Sequence, residues 1–109
     1  MRRGEVWTAA SGPDYPGKPR SIIIVQGDRF EGTASITVCP FTTDPTDAPL
    51  FRPVVEPGPA NGLQSASRLM ADKVTTIPKG TLGARIGRLT AEETKRLDRA
   101  LLVFLGLVG

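Results

Sequence analysis

Apolar positions along this chain come in short bursts broken by turn-forming residues, a rhythm of strands rather than of long helices. Gly4-Glu5-Val6-Trp7-Thr8-Ala9 reads as a first strand, and Ser11 to Pro19 as a long loop of turn-formers. Arg20-Ser21-Ile22-Ile23-Ile24-Val25-Gln26 follows, with four consecutive β-branched residues and no alternation. Such a run predicts a central strand buried on both faces. Ser35 to Cys39 alternates polar and apolar and predicts a half-buried strand. Pro40 cannot donate to a sheet ladder, so pairing is expected to loosen there and Phe41-Thr42-Thr43 to turn outward. After a second loop to Pro49, Phe51 to Glu56 reads as an edge strand interrupted by Pro53. Strand candidates follow at 64–70, 72–77 and 85–89, with one helical turn at Pro78 to Leu82.

The period changes only near the C-terminus. Thr90-Ala91-Glu92-Glu93 has the spacing of a capping box, and Leu97, Leu101, Phe104 and Leu105 then form one apolar stripe at helical intervals. Gly106 is placed to end that helix in the left-handed conformation. Many short strands and one packing helix predict a mainly β fold with α, a strongly twisted, partly closed antiparallel barrel.

Composition narrows the chemistry more than the fold. The 109 residues fit one domain, 1–109, and include 12 glycines and 10 prolines. There is no histidine and one cysteine, Cys39, which excludes Ser-His-Asp and Cys-His nucleophile systems, a disulfide and a cysteine-based zinc site. No cofactor or metal is expected. No apolar run approaches the roughly 20 residues of a membrane span, and no signal-peptide core follows Met1-Arg2-Arg3, so the expected compartment is the cytoplasm. The net charge of +3 permits a nucleic-acid partner. Residues 68–88 concentrate the basic side chains, with Arg68, Lys73, Lys79, Arg85 and Arg88 against Asp72 alone. That segment suits a nucleic acid, a protein partner or simply water.

Several ordered segments carry a family resemblance. Arg3-Gly4-Glu5-Val6-Trp7, Arg20 with its aliphatic run to Gln26 and Asp28, Pro40-Phe41-Thr42-Thr43, Ala71-Asp72-Lys73-Val74-Thr75-Thr76-Ile77 and the close on Leu105-Gly106-Leu107 together resemble the MazF/PemK toxins. One departure is Ser21, where the family usually has proline after its arginine; here Pro19 precedes Arg20 instead. The resemblance implies a small SH3-like (CcdB/PemK-type) twisted antiparallel β-barrel with a C-terminal helix. It also implies a homodimer inhibited by a cognate MazE-like antitoxin that blocks the RNA site. The implied activity is metal-independent, sequence-specific cleavage of single-stranded RNA, leaving 2′,3′-cyclic phosphate and 5′-hydroxyl ends. Two alternatives from other classes stand beside it, a CcdB-like gyrase poison and a non-catalytic RNA-binding barrel. CcdB-type toxins end in Trp-Gly-Ile, whereas this chain ends Leu107-Val108-Gly109 and its one tryptophan is Trp7.

Carried onto this sequence, the resemblance makes Arg20 and Thr42 the catalytic candidates. A guanidinium is planar, permanently cationic and able to hold two phosphate oxygens, and a threonine hydroxyl can donate to a third. The plain structural readings are a strand-end arginine in a surface ion pair and a threonine capping the loop from Thr43 to Pro49. Tyr15, Lys18, Thr43, Asp72 and Lys73 are the RNA-binding candidates, Tyr15 by stacking on an unpaired base, as Phe30 also can. Asp72 is in addition a reserve candidate for general base, a role that arginine fills poorly. Cys39 and Trp7 read as core, and Val103 and Leu107 as additions to a dimer contact.

Overall fold

The computed structural model describes residues 1–10 and 19–109. Among them, the strands are β1 (Glu5–Ala9), β2 (Arg20–Ile24), β3 (Ser35–Thr42), β4 (Val54–Val55), β5 (Ser67–Leu69), β6 (Thr75–Pro78) and β7 (Leu82–Arg88). One helix, α1 (Ala91–Phe104), follows them. The strands form one curled antiparallel sheet in the order β4-β5-β3-β2-β1-β7, with β6 also paired to β3. It is a half-barrel, open between β4 and β7.

The unbroken isoleucine run of β2 is explained by two cores on opposite faces of this sheet. Ile23 joins Val6, Cys39, Phe41, Val55, Leu69, Leu89 and Leu97 beneath α1. Ile22 and Ile24 join Ala9, Ile36 and Val38 on the other face, against Trp7, Ile77 and Leu82. A half-solvated strand would need alternation; one packed on both sides does not.

Strand β3 departs from expectation. It runs through Pro40, and Phe41 is buried in the first core rather than turned outward. The proline is tolerated because β3 changes partners there. Ser35 to Val38 pair with β6, whereas Phe41 and Thr42 pair with β5. Pro40 sits at the changeover, its carbonyl accepting from the Met70 amide at 2.9 Å. A residue's N–H and C=O leave a strand on the same side, so the missing donor faces the gap between β5 and β6.

Other boundaries shift with similarly local causes. The candidate strand at 64–70 shortens to β5 and the one at 72–77 splits into a 3-10 turn, Ala71–Lys73, and β6. The expected helical turn is a 3-10 turn at Lys79–Thr81, with Pro78 closing β6 before it, and β7 starts at Leu82, three residues early. Its pairing with β1 is bulged on both sides of Trp7, and the Thr8 hydroxyl accepts from the Ala84 amide at 2.9 Å to fill one bulge.

Helix α1 begins as its sequence demands. Thr90 Oγ1 accepts from the Glu93 amide at 3.1 Å, and Glu93 Oε1 accepts from the Thr90 amide at 2.9 Å. At the other end Gly106 has φ of 75°, with Leu107 N–H donating to Leu102 and Gly106 N–H to Val103, the two bonds of a Schellman close. Leu97 is buried, but Phe104 is 46 % exposed against Phe51 and Leu105 is 57 % exposed, so the apolar stripe outruns the core it covers. No helix among the described residues is long and apolar enough to cross a membrane.

Candidate functional site

Register brings Arg20 and Thr42 together. Strand β2 opens at Arg20, opposite Ala9 of β1, and pairs with β3 as Ile24–Val38, Ile23–Cys39 and Ile22–Pro40. Continued by two residues, that register would set Thr42 opposite Arg20, and both side chains line one cleft. Thr42 in turn faces Arg68 of β5. Directly opposed side chains share a face, so Arg20, Thr42 and Arg68 make a row across three strand ends. The outermost of them, Arg68, donates to the Pro45 carbonyl at 3.3 Å.

Beside this row opens a cleft of about 690 Å³. The strand ends give one wall, with Thr8, Pro19, Arg20, Ser21, Phe41, Thr42 and Thr43. The second wall is Gly62, Leu63, Gln64, Ser65, Ser67 and Ile86. Among these lining residues Arg20 alone carries a charge. The rest offer hydroxyls, one amide and apolar surface.

The Thr42 hydroxyl is oriented by its own loop, its oxygen accepting from the Asp44 amide at 3.1 Å. A hydroxyl whose oxygen is held by a donor keeps its proton available for donation. The capping and catalytic readings of Thr42 are therefore compatible. The Asp44 carboxylate faces away, accepting from the Thr46 hydroxyl at 2.7 Å and the Thr46 amide at 3.0 Å. Those bonds hold it below the usual carboxylate range.

The remaining candidates are distributed unevenly. Thr43 joins the cleft wall. Asp72 and Lys73 lie in the 3-10 turn off the cleft, and both oxygens of Asp72 accept from Arg52, at 3.0 and 2.8 Å. That bidentate bond, against a smaller opposing effect of burial, keeps the Asp72 carboxyl below its ordinary value. Tyr15 and Lys18 lie outside the described residues. Phe30 is exposed beneath the Arg29 guanidinium and does not line the cleft. Trp7 packs on the second core and donates from Nε1 to Glu5, itself buried. Cys39 is fully buried, and burial first, then the nearby Asp72 charge, pushes its thiol up to about 12, a packing group rather than a nucleophile. Two further basic side chains of 68–88 are engaged away from the cleft, Arg85 with Glu5 and Lys79 with the Glu31 carbonyl.

Sequence reasoning missed the second wall. Its foundation is Asn61, a buried amide whose Oδ1 accepts from the Gly58 and Leu63 amides and whose Nδ2 donates to the Glu56 carbonyl. Gly62 follows with φ of +70°, where an added Cβ would lie 2.3 Å from the Ile86 carbonyl oxygen. Asn61-Gly62 signals a turn in the sequence. Nothing local says that the turn will face the start of β2.

The sequence profile of the PemK-like, MazF-like toxins of type II toxin–antitoxin systems matches residues 2–105. The chain belongs to this family. It is 58 % identical over 109 residues to the probable endoribonuclease MazF of Mycolicibacterium smegmatis, covering all of both chains. It is 32 % identical over 116 residues to the endoribonuclease MazF9 of Mycobacterium tuberculosis, covering 98 % of each. Among solved structures, a mycobacterial endoribonuclease in complex with its cognate antitoxin superposes with a TM-score of 0.80 at 26 % identity, over 100 % of this chain and 98 % of that one. The M. tuberculosis toxin MazF-mt6 gives the same TM-score and identity over 96 % and 99 %. The curled half-barrel with its C-terminal helix is thus the MazF toxin fold. The names of both relatives favour RNA cleavage over the gyrase-poison and binding-only alternatives.

Proposed function

We propose that this chain is the toxin of a type II toxin–antitoxin pair, a MazF-type endoribonuclease that cuts single-stranded RNA and is held inactive by a cognate antitoxin. What carries the reading, beyond family membership, is that Arg20 and Thr42 line one cleft in which Arg20 is the one charged side chain among the described lining residues.

In the proposed reaction the 2′-oxygen of a nucleotide attacks its own 3′-phosphorus and forms the cyclic ester. The bond from phosphorus to the 5′-oxygen breaks, the 2′-hydroxyl gives up its proton and the departing 5′-oxygen takes one. Negative charge builds on the non-bridging oxygens as five-coordinate phosphorus forms. Arg20 meets that charge with its planar fork of N–H donors, and Thr42 adds its hydroxyl proton. Holding both donors on paired strands keeps them in place before charge develops, so little reorganisation accompanies the step. Arg20 serves as an electrostatic catalyst, because a guanidinium does not readily surrender a proton.

Homodimerisation follows from the surface as well as the family. Leu102, Phe104, Leu105, Leu107 and Val108 are all exposed at the end of α1. Clusters of this kind mark association surfaces. The compartment is the cytoplasm, where the RNA substrate and the antitoxin meet the toxin.

The test compares wild type, Arg20→Ala and Thr42→Ala on a long single-stranded RNA in EDTA, with cut sites mapped by primer extension and ends assayed for cyclic phosphate. Discrete cuts in wild type are expected to fall about a hundred-fold or more in each variant. Intact RNA with folded wild type would overturn the nuclease reading, and undiminished cleavage by Arg20→Ala would move the site elsewhere.

A further inference from the structure

The cleft is chemically two-sided, and the side away from Arg20 has no part in the proposed bond-breaking. With one charged group among its described lining residues, the cleft can grip a phosphate at one place. Elsewhere among the described lining residues, recognition falls to neutral groups. Phosphate contacts position a nucleic acid, whereas hydrogen bonds to base edges tell one sequence from another.

Of the described neutral side chains in the cleft, Gln64 alone offers donors and an acceptor in one plane. That geometry matches paired donor and acceptor positions on the edge of an unstacked base. The hydroxyls of the same wall, Ser65 and Ser67, present one oxygen each, and the Ser67 hydroxyl already donates to the Ser65 carbonyl at 3.1 Å. Gln64 is exposed, while Leu63 beside it is half-buried and supplies apolar surface for the face of a base.

A reading group must also be held still, since recognition depends on geometry fixed before the ligand arrives. Immediately before Gln64 the chain is pinned by the three hydrogen bonds of Asn61 and by the close seat of Gly62 on Ile86. Ile86 belongs to β7, which pairs with β1, which pairs with β2 where Arg20 sits. The reading wall and the phosphate grip are therefore parts of one hydrogen-bonded frame.

We infer that Gln64 is a specificity-determining residue, reading by its side-chain amide the edge of a base next to the scissile phosphate held at Arg20. The inference rests on the endoribonuclease reading above and adds to it the side chain that selects where the RNA is cut.

The experiment cuts a mixed-sequence single-stranded RNA with wild type, Gln64→Ala and Gln64→Glu, sequences the new 5′ ends, and measures kcat/KM on short oligonucleotides varied one base at a time. Gln64→Ala is expected to lose about ten-fold in discrimination at one position of the motif and to leave the others unchanged. Gln64→Glu removes the donors and keeps acceptors, so the preferred base at that same position should change. A purely structural role would lower cutting at all sequences alike and would not alter the base ratio at a single position. An unaltered motif in both folded variants overturns the inference while the endoribonuclease stands. Intact RNA with wild type overturns the function itself.

Discussion

The position that most constrains the cleft is a glycine with no side chain to contribute. At φ of +70° and with the Ile86 carbonyl where a Cβ would go, Gly62 is the one residue type that lets the second wall close on β7. Replacement by alanine combines left-handed backbone strain with a clash against main chain that cannot swing aside. Gly62→Ala is expected to cost about 3 kcal/mol, read as a lowered midpoint in urea denaturation. A cost below about 1 kcal/mol would mean that the wall is looser than its contacts imply. The same residue shows how far a site is legible in sequence. Arg20 and Thr42 were recognisable because each stands inside a segment with family-like neighbours. Gln64 was not, because its place in the cleft depends on Gly62 seating against Ile86, 24 positions later, and no pattern within 61–66 announces that contact.

Among the elements, α1 was the most readable, since its start and stop are written in local chemistry. Thr90→Ala deletes the acceptor for the Glu93 amide and should cost about 1 kcal/mol, a drop of about 4 °C in Tm by calorimetry. Strand β3 was the least readable. Its course through Pro40 depends on a change of partner from β6 to β5, a fact of tertiary pairing that a proline in isolation argues against. The connection from β3 to β4 has its own fastening, the Arg52–Asp72 pair, whose side chains are 15 % and 17 % exposed. Because Arg52 depresses the Asp72 carboxyl, the pair contributes stability above the unfolded-state value of about 3.9 and loses it as pH falls toward the folded one. Asp72→Asn should therefore cost about 2 kcal/mol at pH 7, and the gap from wild type should shrink below about pH 4. A gap that does not change between pH 7 and pH 3 would show that the carboxylate charge is not what fastens the loop.

At the scale of the whole molecule, a half-barrel with two cores leaves a cluster of apolar side chains uncovered at the end of α1. Leu107 is 69 % exposed there. Leu107→Asp is expected to convert a dimer into a monomer in sedimentation equilibrium, and a persistent dimer would place the interface elsewhere. The two-core design has a further consequence for how such a toxin can be silenced. Arg20 and Thr42 stand on β2 and β3, the strands in the middle of the sheet, each flanked by neighbours on both sides. Amides in such strands exchange with solvent only when the molecule opens as a whole, whereas edges and loops open alone. The strands that carry the proposed catalytic pair thus belong to the part of the sheet that comes apart late. A partner that covers the cleft of the intact fold would leave β2 and β3 paired beneath it, so its degradation would free the two residues with no refolding step between release and activity.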